Sequence, residues 1–190
     1  MNNEPQFMQV MSFLLELVLT ILAIDFISGL IHWAEDTFGS ATTPIYGKWI
    51  VEPNTLHHAH PSAFISKNWW QSSWDLTLVS GIIVFVSYLN DMLTWHVVLF
   101  AFLGANANQL HKYAHMPTAQ VPLLVKFFQY IGLLQKAKHH ALHHQGQKNN
   151  AYCVITPYLN PILDAIGFWR LLEKITVPIF GAPRREDLKK

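Results

Sequence analysis

The sequence predicts an all-α integral membrane protein, a single domain over residues 1–190, with about three transmembrane helices and a cytoplasmic-side helical cap that carries the histidine boxes. Three observations predict it. First, 51% of the residues are hydrophobic and 13% are charged, where an ordinary soluble domain carries about 25% charge. Second, three apolar stretches, 7–33, 74–90 and 92–116, can each cross about 30 Å of hydrocarbon, given a few flanking residues where needed. Third, ten of the eleven histidines fall in four short clusters. The net charge of +1 gives no reason to expect a nucleic-acid partner. A single cysteine, Cys153, allows no intrachain disulfide and no redox pair, so any metal must be held by nitrogen and oxygen.

Met1 to Gln6 is polar and lacks the basic region of a signal peptide. Phe7 to Trp33 is nearly all apolar, broken by Glu16 and Asp25, two carboxylates that are costly in lipid and are expected to face the protein interior. His32 and Asp36 close this run, one helical turn apart on one face. From Gly39 to Trp70, Pro44, Pro53 and Pro61 prevent a long helix. This segment carries His57, His58 and His60 and ends in Trp69, Trp70 and Trp74, a cluster suited to a membrane interface or to a core. Leu76 to Leu89 and Met92 to Ala107 form the arms of an antiparallel helical hairpin that turns at Asn90 and Asp91. The second arm continues into Asn108, His111 and His115, polar groups expected to face the bundle interior.

Pro117 to Pro122 breaks the helix, and residues 117–190 read as interfacial and cap helices with a charged tail. Val121 to Gln135 is too short to cross and suits the interface. Pro161 to Glu173 is amphipathic, with Ile162, Leu163, Ile166, Phe168 and Trp169 as its apolar set. Pro183 to Lys190 is charged and expected to be mobile.

This topology brings the histidine clusters to one side. The first span ends at His32, the loop with His57 and His58 follows there, and the hairpin leaves and returns with His111 and His115. Lys48, Lys67, Lys112, Lys126, Lys136, Lys138 and Lys148 share that side, whereas the amino terminus and the Asn90–Asp91 turn carry no lysine, so the histidine side is cytoplasmic. The densest cluster is His139, His140, His143 and His144; a helix there would bring His140, His143 and His144 onto one face. A structural zinc takes four ligands and a catalytic zinc three, so eight or more imidazoles imply two metals. Two irons can activate dioxygen and abstract hydrogen from an unactivated C–H bond, which no side chain can do alone. Haem would want single histidines facing each other across helices. A metal transporter would want ligands and carboxylates near the midplane, a pattern that Glu16 and Asp25 offer only weakly.

Five motifs, His32-Trp33-Ala34-Glu35-Asp36-Thr37-Phe38-Gly39-Ser40, His57-His58-x-x-Pro61, Asn108-Gln109-x-His111-Lys112-x-x-His115, Lys138-His139-His140-x-x-His143-His144 and Ile166-Gly167-Phe168-Trp169-Arg170, together resemble the plasmanylethanolamine desaturases, a family of Kua-type membrane lipid desaturases. The similarity covers most of the chain from His32 onward. It implies a diiron, O2-dependent oxidoreductase that forms the 1′,2′ vinyl-ether double bond of plasmalogens from a plasmanyl ether phospholipid. A plastid relative desaturates the acyl chain of phosphatidylglycerol, so an acyl-lipid desaturase is the alternative, and a histidine-rich membrane metal-binding or transport protein is a third reading. The resemblance also implies two Fe ions, O2 as co-substrate and a small electron-transfer protein, cytochrome b5-like or ferredoxin-like, in a bacterial inner membrane or the endoplasmic reticulum.

The metal and catalytic set expected from the clusters and the resemblance is His32, His57, His58, His111, His115, His140, His143 and His144. His139 and Asp36 join it as ligands or as groups that orient an imidazole. Asn108 is expected beside the ligands. So is His60, which stands where the family pattern has an acidic residue. Lys112, Lys138 and Arg170 are candidates to meet a lipid phosphate, although the same side chains could simply snorkel to the interface.

Overall fold

The computed structural model describes residues 4–188, and every regular element among them is helical. The first helix, α1 (Glu4–Phe38), has 35 residues and is about 52 Å long at ~1.5 Å per residue. After it come a five-residue π-helical turn at Gly47–Val51 and two short helices, α2 (Glu52–Ala59) and α3 (Pro61–Ile65). Pro53 and Pro61 stand in the first turns of these two helices, where a missing N–H leaves no bond unmade. Next, α4 (Trp69–Leu89, 21 residues) opens on a capping box in which Asn68 and Gln71 satisfy one another's backbone amides at 2.9 and 3.0 Å. Both α1 and α4 are long and apolar enough to cross a membrane. Leu14, Leu15, Val18 and Leu19 on α1, and Leu78, Ile82 and Phe85 on α4, point outward and are exposed, the reverse of a water-facing amphipathic helix.

The third apolar stretch is not one helix. Residues 92–116 divide into α5 (Trp95–Ala105) and α6 (Ala107–His115). At Asn106 the backbone leaves the helix; its side chain donates to the Phe102 carbonyl at 2.8 Å and accepts from Trp69 Nε1 at 3.0 Å. Side-chain bonds of this kind compete with the helical ladder. With 11 residues, α5 is about 16 Å long, short of the ~30 Å hydrocarbon core. Among the described residues two helices, not three, are therefore long enough to span.

The remaining helices are α7 (Leu123–Tyr130), α8 (Ala137–His140), α9 (Leu159–Ala165) and α10 (Phe168–Phe180). The expected amphipathic run 161–173 is split at Gly167, whose φ of 67° suits a residue without a Cβ. Leu163 and Trp169 of its apolar set are buried, whereas Ile162 and Ile166 are exposed. The carboxy-terminal segment is tied down rather than loose through Glu186. The Arg184 amide donates to the Thr37 carbonyl at 2.7 Å, Glu186 accepts from Ser40 Oγ at 2.9 Å and Ala41 N at 3.0 Å, and Arg185 donates to the carbonyls of Gln147 and Lys148 at 2.8 and 3.0 Å.

At the centre runs a non-helical ribbon, Ala151 to Thr156, none of whose residues is more than 4% exposed. Tyr152 and Cys153 pack with Trp33, Leu163 and Trp169, and Val154 and Ile155 pack with Ile24 and Ala107. Buried backbone outside a helix must find polar partners. Asp25, in the middle of α1, supplies them: one carboxylate oxygen accepts from Ile155 N at 2.8 Å and the other from Thr156 N at 3.1 Å and Thr156 Oγ1 at 2.6 Å. Asn160 bridges the amide and carbonyl of Cys153 at 2.9 and 2.8 Å. Gly29 permits the close approach, because a Cβ there would lie 2.7 Å from Cys153 Sγ. Asp25 thus faces the interior, while Glu16, 3.0 Å from His96 Nε2, pairs with it in a partly exposed position.

α1 and α4 each pack chiefly against α5. A cleft remains between them, with Phe100 and Gly104 of α5 on its wall.

Candidate metal centre

Four elements deliver the histidines to one place. His32 and Asp36 are one turn apart near the end of α1, His57 and His58 lie in the last turn of α2, and His111 and His115 are one turn apart on α6. His140 ends α8, and His143 and His144 follow in the adjoining turns. Together they make two adjoining groups, one of His57, His111, His115, His140 and His144, the other of His32, Asp36, His58 and His143. Within each group the ligand atoms lie within 4.8 Å of one another. The groups share a wall: the His57 and His58 rings are 4.3 Å apart, and those of His58 and His144 4.8 Å.

The spacings fit metal ions. In the first group Nε2 atoms are separated by 2.8 Å (His111 and His140), 3.0 Å (His140 and His144) and 3.2 Å (His111 and His115). In the second, His143 Nε2 is 3.4 Å from His58 Nε2, and the Asp36 carboxylate is 3.2, 3.3 and 3.7 Å from Nε2 of His143, His58 and His32. Ligands about 2.1 Å from one ion would stand about 3.0 Å apart at right angles and about 3.4 Å apart in a tetrahedron. The side chains are also turned the right way. The Nδ1 atoms of His32 and His143 sit 3.2 and 2.7 Å from the carbonyls of Tyr152 and Asn150, and His57 Nδ1 meets the Asn54 carbonyl. Donation of Nδ1–H there fixes the tautomer whose Nε2 lone pair faces inward. His32 Nε2 and His57 Nε2 are buried with no hydrogen-bond partner, a costly condition that a metal would relieve.

Burial, and after it the neighbouring imidazoles, holds His57, His111 and His140 well below the usual histidine range. Burial brings His115 down to about 4. Neutral imidazole is the form that binds metal.

All eight histidines expected as ligands lie in these two groups, and so does Asp36. His140, His143 and His144 do not all fall in one group, because the helix ends at His140 and the turns that follow carry His143 into the second group. His139 lies outside both groups and accepts from the Lys136 amide at 3.3 Å, capping α8. His60 is exposed between α2 and α3. Asn108 donates to the Ser72 carbonyl at 2.7 Å and lines the cleft. Buried Lys112 donates to the Lys67 carbonyl at 2.6 Å, Lys138 is exposed, and Arg170 pairs with Glu173 at 3.1 Å. Sequence reasoning missed Asn54, whose amide donates to Asp36 Oδ1 at 2.6 Å, and the carbonyls of Asn150 and Tyr152. The Asn54 side chain, three residues before His57, left a faint trace; backbone carbonyls leave none.

The cleft between α1 and α4 opens onto this centre. Ile24, Ile27, Ser28, Ile31, His32 and Glu35 line it from α1, and Ser72, Asp75, Leu76, Val79, Ser80 and Ile83 from α4. Each set repeats at three and four residues, one helical face of about 16 Å. The ionisable members, His32 and Glu35 on one side and Asp75 on the other, lie at the metal end with Ser72, and the far end is mainly aliphatic, interrupted by Ser28 and Ser80.

Comparison with known proteins agrees. Residues 21–187 match the lipid desaturase domain. Over 189 residues, 93% of this chain and 69% of the relative, the sequence is 32% identical to plasmanylethanolamine desaturase 1 of Mus musculus. It is 31% identical to the plasmanylethanolamine desaturase of Myxococcus xanthus over 90% of this chain and 63% of that protein, and 33% identical to a probable fatty acid desaturase of Acanthamoeba polyphaga mimivirus over 91% and 87%. No solved structure matches. With its histidine groups gathered at one end of a cleft between two apolar helices, the chain belongs to the lipid desaturase family that includes the plasmanylethanolamine desaturases, and it is an oxidoreductase of that class.

Proposed function

We propose that this chain is an integral membrane diiron desaturase that uses O2 and an external electron donor to form the 1′,2′ vinyl-ether double bond of a plasmanyl ether phospholipid. The observation that carries the reading is the two-group ligand set at the polar end of a cleft whose other end is mainly apolar. His57, His111, His115, His140 and His144 would hold one ion, and His32, Asp36, His58 and His143 the other. Bound there, an iron pair supplies the oxidising power to remove two hydrogens from an unactivated C–C unit. The protein's own part is positioning. The carbonyls of Tyr152, Asn150 and Asn54 keep three imidazoles facing inward. The apolar end of the cleft, from Ile24 to Ile83, takes the hydrocarbon and excludes water. Polar residues beside the ligands put the glycerol end of the lipid next to the reacting carbons.

That polarity supports attack at the first carbons of a chain. A mid-chain desaturase would need aliphatic lining on both sides of its metals. The same argument admits an acyl-lipid substrate attacked close to the glycerol, a second reading favoured by relatives named fatty acid desaturase 4 and fatty acid desaturase 4-like 1 of Arabidopsis thaliana. The lysines on the histidine side support a cytoplasmic metal centre, served by a small soluble electron carrier.

Expression in cells that lack plasmalogens, fed an alkyl-glycerol precursor, tests the reaction by mass spectrometry. Acid-labile vinyl ethers are expected with the parent protein and absent with His143→Ala. A new double bond confined to acyl chains would move the assignment to the second reading.

A further inference from the structure

We propose that Tyr152 and Trp169 form an electron relay between the second ligand group and Asp164. When the iron pair is oxidised by O2 with no lipid in the cleft, Trp169 gives up one electron through Tyr152 and passes its indole proton to Asp164, which spares the ligand histidines. The proposal rests on the desaturase reading for the oxidant and adds a protective path that desaturation itself does not use. The chain of contacts is continuous. The Tyr152 ring lies 4.9 Å from the His143 ring and 5.8 Å from that of His32, and the Tyr152 carbonyl meets His32 Nδ1 at 3.2 Å. Its next neighbour is the Trp169 ring, 4.8 Å away, which is stacked 6.5 Å from Trp33. Centroids about 4.5–7 Å apart are those of rings in contact.

The residue types set this path apart from ordinary core packing. Phenol and indole rings give up an electron far more readily than a phenyl ring does, and the first ligand group packs instead on Phe64, 5.5, 5.1 and 5.9 Å from His57, His111 and His115. An indole that has lost an electron is far more acidic at its N–H than a neutral one, so the charge comes to rest where that proton can leave. Trp169 Nε1 donates to Asp164 Oδ1 at 3.2 Å, and Asp164 is half-buried, within reach of water. Trp33 Nε1 is buried with no hydrogen-bond partner; its ring can share the charge but has no base to take the proton. In the step, one electron leaves Trp169 and reduces the oxidised iron pair by one equivalent, one proton moves from Nε1 to the Asp164 carboxylate, and a neutral indolyl radical remains. One electron from the external donor of the proposed reaction, with the Asp164 proton, restores the indole.

The test uses full-length protein in detergent, loaded anaerobically with ferrous iron and then exposed to O2 with catalase present, once without lipid and once with an excess of a 1-O-alkyl-2-acyl phospholipid. Freeze-quenched samples are read by electron paramagnetic resonance, and added oxygen is located by peptide mass spectrometry; both are normalised to bound iron. Without lipid, an indolyl radical is expected, with oxygen added at Trp169, 2% exposed, ahead of Trp33 and ahead of Trp49 and Trp70, which are 56% and 61% exposed. A diffusible oxidant would reverse that order. Lipid should suppress both signals. Tyr152→Phe, which keeps a ring and the backbone carbonyl, should abolish the radical and move the added oxygen onto His32 and His143. Asp164→Asn should shorten the radical's lifetime by removing its proton acceptor.

Oxidation led by Trp49 or Trp70, no oxidation of Trp169, or oxidation of Trp169 unchanged in Tyr152→Phe would overturn the relay, and a new double bond in the lipid sample would show that the desaturase reading survives it. A Trp169 radical that depends on Tyr152, with no double bond in the lipid, would support the relay and sink the desaturase reading. The order of Trp169 against Trp49 and Trp70 is measured in the parent protein, so the question is decided even if a variant fails to fold.

Discussion

Replacing Asp36 with alanine tests the division of nine ligands into two ion sites. Its carboxylate is the only anion in either group and is fully buried, 3.2 Å from His143 Nε2, 3.3 Å from His58 Nε2 and 3.7 Å from His32 Nε2. The substitution leaves three neutral imidazoles for a divalent ion in the second group and all five ligands in the first. Removing one partner from a buried charge pair costs about 3–5 kcal/mol. At about 1.4 kcal/mol per tenfold, that is a loss of about two to three and a half orders of magnitude in affinity for one ion and little for the other. Metal analysis after anaerobic loading with ferrous iron alone, so that zinc cannot compete, is expected to find about two irons per chain in the parent. Asp36→Ala and His115→Ala should each retain one, and the double variant neither. Retention of both irons by Asp36→Ala at parental affinity would mean that the carboxylate holds no ion. Loss of both would mean that the nine residues act as one site, and either result refutes the partition.

Asp25→Ala strands the amides of Ile155 and Thr156 in the core, at about 1–3 kcal/mol each; a lowered melting temperature by tryptophan fluorescence is expected, and an unchanged one would remove the ribbon from the stability argument. Gly104→Leu fills the cleft wall where a Cβ would already stand 3.3 Å from both Ile24 Cδ1 and Ser80 Oγ. Desaturation should fall by about tenfold or more with both irons retained, and full activity would show that the lipid takes another path. His96→Ala should keep its iron and its turnover, since its partner Glu16 precedes His32 by about 24 Å of helix; a dead His96→Ala beside an active His143→Ala would break the clustering argument. Asn54→Ala is expected to weaken the second ion about 10- to 100-fold through Asp36, measured by competition with a chelator.

The sequence showed most plainly what depends on local pattern. α1 and α4 are legible because an apolar run of that length has few other uses, and the two candidate ligand groups because His57 and His58, His111 and His115, and His140, His143 and His144 repeat at spacings that suit metal binding. The break at Asn106 was not legible: the polar residue was visible, but the bond from Trp69 that stabilises its non-helical backbone comes from 37 positions away. Residues 151–156 carry no pattern that singles them out, because their burial depends on Asp25, 130 residues earlier. The charges of Arg184, Arg185 and Glu186 suggest a solvated tail, yet their partners include backbone groups at Thr37, Ala41, Gln147 and Lys148, and backbone groups carry no sequence signature.

The ribbon and the cleft divide the work of the site between parts that differ in how freely they can change. The ribbon fixes the metal end. Its Tyr152 carbonyl orients His32, the Asn150 carbonyl just before it orients His143, and Asp25 binds the ribbon to the same helix that carries His32 and Asp36. A side-chain change here alters ligand geometry directly. The cleft walls are less constrained: beyond His32, the residues that α1 and α4 turn toward the cleft belong to neither ligand group. Exchanges along these walls, at Val79 for example, can therefore, on the proposed reading, alter which lipid is accepted while the ligand groups stay where they are. On the proposed reading, relatives with different lipid names can share one metal centre for this reason. The position of the new double bond is then set by the distance from the polar mouth to the ligand groups, so a mid-chain specificity would require moving the polar residues up the cleft, not changing the histidines.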